Sequence, residues 1–124
     1  MGMSAGAPDE KQLAAMQALV EDGMQAGALG LSTGLAYSPG LFAATDELAA
    51  LCESVGRHGG VYTSHLRDQG DRLEESVQEA IDIARRSGAR VNVSHHKAMG
   101  EKNFGKVRKT TRMLHEAGIP ATHD

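Results

Sequence analysis

Val61-Tyr62-Thr63-Ser64-His65 and Val91-Asn92-Val93-Ser94-His95 nearly copy one another along the chain. Both runs are short, rich in β-branched residues and bounded by turn signals, so each reads as a strand. The pattern extends in both directions. Ser32-Thr33 precedes Ser64-His65, and Thr122-His123 follows Ser94-His95, each at close to the interval that separates the two copies. A strand end repeating at about thirty residues has the period of a βα unit. Connections of that length, each holding a helix, imply parallel strands joined by crossovers. The predicted class is α/β.

The intervening segments supply the helices. Pro8 to Ala26 carries Leu13, Met16, Val20 and Met24 on one face, and Gly27 ends it. Ala28 to Thr33 reads as a buried strand weakened by Gly30. A loop through Ser38-Pro39-Gly40 follows. Thr45 is the expected N-cap of a helix to His58, with Leu48, Leu51, Cys52 and Val55 inward. Asp71 and Glu74 have capping-box spacing for a helix to Ser87, whose apolar face is Leu73, Val77, Ile81 and Ala84. A last helix, Gly105 to Ala117, should turn Val107, Thr111 and Leu114 inward, and Ile119 to Asp124 begins another strand. Residues 1–8 are expected to be flexible, and 9–124 to form one folded segment.

Composition narrows the function classes. With 124 residues, the chain is about half of a complete eight-fold βα barrel, which takes about 250. A net charge of -3 favours neither nucleic acid nor an anionic membrane as partner. The basic run Lys102, Lys106, Arg108, Lys109 and Arg112 has only Phe104 beside it, so a solvated helix face is the better reading. The single cysteine, Cys52, excludes an internal disulfide and fits a reducing compartment, so a cytoplasmic location is expected. Its place in a helical apolar stripe makes it a core residue.

Ligands of parallel α/β folds gather beyond the carboxyl ends of the strands. His65 and His95 end two successive strands, and neighbouring strands lie about 4.8 Å apart, so two imidazoles could meet at one divalent ion. Either histidine alone reads more readily as hydrogen-bonded structure; the matched pair is what points to a metal. A zinc site would still need a third protein ligand and an open position.

Beyond this reading from the residues, the sequence resembles a family. The run Ala26-Gly27-Ala28-Leu29-Gly30-Leu31-Ser32-Thr33-Gly34-Leu35 with Tyr37-Ser38-Pro39-Gly40, then Thr63-Ser64-His65-Leu66-Arg67-Asp68-Gln69-Gly70, then Val93-Ser94-His95-His96-Lys97, resembles the N-acyl-D-amino-acid deacylases of the amidohydrolase superfamily. The likeness covers residues 9–124. It implies a partial metal-dependent amidohydrolase βα barrel (a TIM-barrel segment) and zinc as cofactor. His65 and His95 would be zinc ligands, Lys97 would hold the substrate carboxylate, and Tyr37 would contact the scissile carbonyl or its oxyanion. The implied reaction is hydrolysis of a small N-acyl-D-amino acid by water activated at the metal, giving a carboxylate and a D-amino acid.

The family's early His-x-His strand, its cysteine ligand and its catalytic aspartate are expected outside this chain, so no catalytic acid or base is assigned within it. Asp124 does not stand for that aspartate, and His123 occupies a position where a non-ligand is usual. His96, His58 and His115 have no partner spacing, and surface or supporting roles suit them. Arg67 and Asp68 suggest a structural ion pair near the site as readily as a catalytic task. The 124 residues alone are expected to be inactive or nearly so. Two rivals stand beside the deacylase reading: a noncatalytic module that self-associates as a homodimer to cover open sheet edges, and a two-histidine metal-binding scaffold without hydrolysis.

Overall fold

A computed structural model of the protein describes residues 6–124. Four parallel strands, β1 (Gly30–Gly34), β2 (Val61–His65), β3 (Arg90–Val93) and β4 (Ala121–His123), lie in the order β1-β2-β3-β4. Helix α1 (Glu10–Gln25) precedes β1, and α2 (Thr45–Arg57), α3 (Leu73–Ser87) and α4 (Lys106–His115) form the crossovers. The period read from the strand copies is therefore the period of the fold. Met1 to Ala5, most of the segment expected to be flexible, lies outside the described residues.

Register sorts the side chains into two faces. Leu31, Tyr62 and Val91 are successive partners, as are Thr33, Ser64 and Val93 across the first strand pairs. Their face meets the helices, where Tyr62, Val91 and Val93 pack with Leu48, Cys52, Val55, Val77, Ile81, Ala84 and Leu114 in one buried cluster. The apolar stripes expected for α2 and α3 are the ones buried. The other face carries Ser32, Val61, Thr63, Asn92 and Thr122, none of them buried. Parallel sheets normally have both faces covered, so this open face is a departure from the usual pattern.

Helices α1, α2 and α3 each end near a glycine in positive φ, Gly88 serving α3 at φ 75°. After α1, Gly27 at φ 100° lets Ala28 N–H reach the Gly23 carbonyl at 3.0 Å; after α2, Gly59 at φ 65° lets Gly60 N–H reach Val55 at 2.8 Å. The glycine read as a weakness in β1 is required there. A Cβ on Gly30 would stand 1.8 Å from the Val61 carbonyl oxygen, so only glycine allows β1 to approach β2.

Helix starts differ from expectation. The capping box is at Asp9, whose carboxylate accepts Gln12 N–H at 2.8 Å while Gln12 Oε1 accepts Asp9 N–H at 3.0 Å. Asp71 caps nothing: α3 begins at Leu73, and Asp71 accepts from Lys102 (2.7 Å) and Asn103 (2.9 Å). Asp68 serves that turn instead, accepting Gly70 N–H at 2.6 Å. Ala44 is the N-cap of α2; Thr45 is already helical and sends its hydroxyl to Glu79 at 2.8 Å. In α4 the buried threonine is Thr110 rather than Thr111.

Candidate metal centre and substrate rim

The two histidines arrive by different routes. His65 is the last residue of β2. The expected strand to His95 stops at Val93, and the chain turns so that His95 sits at φ 38°, the one non-glycine residue in positive φ among those described. Its N–H donates to the Asp124 carboxylate, which also accepts from Asn92 at 3.3 Å. These bonds, the His95 amide first, hold the Asp124 carboxyl below its ordinary range. The turn aims the imidazole back over the sheet. His65 Nδ1 and His95 Nε2 are 3.0 Å apart, with ring centroids at 4.5 Å and planes at 69°.

Tyr37 and Lys97 join this pair. The Tyr37 ring is 4.9 Å from that of His65, tilted by 51°. Lys97 Nζ is 3.2 Å from His95 Nδ1 and 3.4 Å from the His95 carbonyl oxygen. Partial burial, then the adjoining His95 and Lys97, pushes the His65 pKa below 6.5, which favours the neutral imidazole. With Ala36, Gln69 and Met99, Tyr37, His65 and Lys97 line an open depression of about 400 Å³. The four residues singled out from sequence thus converge.

Gln69 belongs to a sequence motif that assigns it no role. It is 6% exposed, and its amide nitrogen position is 3.4 Å from His95 Nδ1. Its backbone meets Met99, whose N–H donates to the Gln69 carbonyl at 2.6 Å. The only sequence signal is position: Gln69 lies one short turn beyond a strand-end histidine.

Other candidates lie elsewhere. His123 meets His96 edge-on (centroids 5.0 Å apart) and stacks near His115 (6.3 Å), away from a third-ligand role beside His65 and His95. His96 is half-buried, and its Nε2 is 2.8 Å from Thr110 Oγ1. Arg67 pairs with Glu79 at 2.8 Å and not with Asp68. Cys52 is fully buried, and burial pushes its thiol up to about 12. The basic run meets acidic partners at the start of α3 and just before it: Lys109 of α4 meets Glu74 of α3, and Lys102, ahead of α4, meets Asp71, ahead of α3.

The donor set fits half a zinc site. Two nitrogens bound tetrahedrally at 2.0–2.1 Å would stand about 3.3 Å apart, close to the 3.0 Å found here. No group of three or more His, Cys, Asp or Glu is placed to hold a metal among the described residues. Any further ligands must therefore come from outside them.

Parallel βα units with polar groups gathered at the carboxyl rim give the α/β arrangement of the amidohydrolase type. Within that type, the chain is homologous to a segment of the N-acyl-D-amino-acid deacylases, as its motifs led us to expect. It is 43% identical over 112 residues to the N-acyl-D-aspartate deacylase of Alcaligenes xylosoxydans xylosoxydans, covering 90% of this chain and 22% of that protein. It is 39% identical over 111 residues to the D-aminoacylase of the same organism, covering 90% of this chain and 23% of that protein. The solved N-acyl-D-glutamate deacylase of Bordetella bronchiseptica, complexed with zinc and a phosphonate inhibitor, matches all of this chain over 27% of its own, with a TM-score of 0.95 and 36% identity. The chain thus spans about a quarter of the length of the relatives it matches. No family model matches it.

Proposed function

We propose that this chain is part of a zinc-dependent amidohydrolase that converts an N-acyl-D-amino acid and water to a carboxylate and a D-amino acid. The observation that carries the reading is the convergence of His65 Nδ1 and His95 Nε2 at 3.0 Å on the carboxyl rim of a parallel sheet. When bound, zinc supplies a Lewis acid that acidifies water and polarises the amide carbonyl. His65 and His95 would hold it.

The neighbouring groups divide the remaining work. His95 offers a bare Nε2 only when its proton sits on Nδ1. A Gln69 amide turned oxygen-first accepts that Nδ1–H, which orients the ring. Lys97, which cannot donate to a protonated Nδ1, would then keep only its 3.4 Å contact to the His95 carbonyl and turn its other N–H groups to the substrate carboxylate. Tyr37 donates a hydrogen bond to the negative charge that develops on the carbonyl oxygen. The aspartate that carries a proton to the leaving amine lies outside this chain by the family's pattern, so the chain alone is proposed to be inactive. We also propose a cytoplasmic location, supported by the buried, unpaired Cys52; no helix among the described residues is long and apolar enough to cross a membrane.

Titration of the purified chain with zinc, alongside hydrolysis of N-acetyl-D-amino acids, tests the reading. Zinc binding that is lost in both His65→Ala and His95→Ala supports it; zinc binding that both variants retain refutes the assignment of these two residues as ligands. Robust turnover by the chain alone would overturn the assignment of catalysis to a larger protein.

A second reading concerns the chain in isolation. β1 and β4 are both edge strands, and Leu29, leading into β1, is 86% exposed. A homodimer would cover these edges. Light scattering that finds a strict monomer at high concentration removes it.

A further inference from the structure

Arg67 stands just beyond His65 and reaches toward α3 and the loop that follows β1. Its Nε and Nη2 grip both oxygens of Glu79 on α3, at 3.0 and 2.8 Å. The remaining N–H groups donate to the carbonyls of Leu41 and Ala43, each at 2.8 Å. Glu79 is itself steadied by the Thr45 hydroxyl at 2.8 Å. Both side chains are largely shielded, at 21% and 13% exposure. Leu41 and Ala43 belong to the loop that leaves β1 and carries Tyr37.

We propose that Arg67, aimed by Glu79, is a positioning residue that clamps the 35–44 loop to the rim and so sets the place of Tyr37 over His65. The loop's own bonds are local: Leu41 N–H to Tyr37, Phe42 N–H to Pro39 and Ala43 N–H to Gly40. At the loop's start Leu35 N–H donates to the His65 carbonyl at 3.0 Å; the bonds from Tyr37 onward shape the loop's second half without tying it to the β2–α3 segment. Tyr37 is 61% exposed, so packing does not hold its ring; the backbone that carries it does. Arginine is required because a planar fork serves a carboxylate on one edge and two carbonyls with the rest, whereas lysine is a point charge. The catalytic meaning of the clamp rests on the deacylase reading; the clamp itself does not.

The chain has two tyrosines, Tyr37 exposed and Tyr62 fully buried, so fluorotyrosine labelling gives one reporter for the loop and one for the core. In Arg67→Lys the Tyr37 resonance should move toward that of free fluorotyrosine. The amides of Leu41, Phe42 and Ala43 should exchange at least about tenfold faster, the scale expected for losing charge-assisted hydrogen bonds. The Tyr62 resonance should stay in place. A folded Arg67→Lys chain with wild-type loop exchange and an unmoved Tyr37 signal overturns the clamp. Should that variant fail to fold, the wild type decides. Arg67 Nε–H protected relative to that of the exposed Arg108 supports the clamp, and equal exchange overturns it. Zinc binding retained in both His65→Ala and His95→Ala would count against the deacylase reading and leave these signals unchanged.

Discussion

His65 Nδ1 and His95 Nε2 lie 3.0 Å apart although one residue is extended and the other left-handed at φ 38°. A non-glycine residue in that region is uncommon and costs energy. At His95 an outward-held N–H, taken by the Asp124 carboxylate, offsets the cost. The next amide is also engaged, His96 N–H donating to the Asp124 carbonyl at 2.7 Å. The end of β4 therefore sets the aim of a ring that follows β3. The meeting of the two imidazoles depends on three strands.

Zinc affinity should follow from this pair. Each alanine variant, His65→Ala or His95→Ala, should weaken binding at least about tenfold, since loss of even an outer-shell partner costs that much. Protons compete for the same nitrogens. Because His65 is held below 6.5, its ligating form persists to lower pH than that of an ordinary imidazole. Affinity should fall on acidification as the His65 imidazole takes up its proton below pH 6.5. Calorimetric titration from mildly acidic to mildly alkaline pH checks both statements; affinity that rises on acidification contradicts them.

Two glycines should respond oppositely to alanine. A Cβ on Gly23, inside α1, meets nothing within 4 Å, so Gly23→Ala should stabilise the chain by about 0.5–1 kcal/mol through helix propensity. Gly30→Ala places a Cβ 1.8 Å from the Val61 oxygen and should force β1 from β2, destabilising by about 3 kcal/mol or more. Urea unfolding of the two variants measures the contrast, and a neutral Gly30→Ala would show that β1 can move aside.

The same position shows what could be read in advance. Period, strand ends and apolar stripes were legible because burial repeats with the backbone's own geometry, as along Leu73, Val77, Ile81 and Ala84. Close approach is not written in one segment: the need for Gly30 lies in Val61, a whole βα unit further along the chain. Capping was ambiguous for a similar reason. Asp9-x-x-Gln12 and Asp71-x-x-Glu74 have the same spacing, but Lys102 and Asn103 reach across from the segment before α4 and take the second aspartate. At the rim, the histidines announced themselves by repetition. Gln69 and Asp124 did not, because their partners are backbone turns and ring nitrogens that only the folded sheet brings close.

Cys52 should govern part of the alkaline limit of stability. Its thiol ordinarily ionises near 9.0, and burial raises it to about 12 in the fold. Below 9 neither state is ionised and nothing is lost. Above 9 the unfolded thiol sheds its proton while the folded one does not, so stability falls between about 9 and 12. Cys52→Ala should flatten that decline, at some cost in packing at neutral pH. In the folded wild type a disulfide exchange reagent should react with the thiol only as fast as the chain opens; immediate reaction would mean that Cys52 is not buried in solution.

Thr110 offers the last test, because it joins a buried hydroxyl to a histidine beside the rim. Its Oγ1 donates within α4 to Lys106 O or Val107 O, both at 3.1 Å, which leaves a lone pair for His96 Nε2–H at 2.8 Å. Partial burial, then His123, lowers the His96 pKa, so the neutral donor form is favoured. Thr110→Val keeps the shape and removes the acceptor, which should cost about 1–3 kcal/mol; Thr110→Ser should recover much of that loss. The pH dependence has a definite sign. Below 6.5 the unfolded imidazole takes up its proton before the folded one, so His96 lowers stability as pH falls. Denaturant midpoints about one pH unit above and below that value measure both effects. If Thr110→Val is as stable as wild type, the hydroxyl is not the partner that holds the His96 ring.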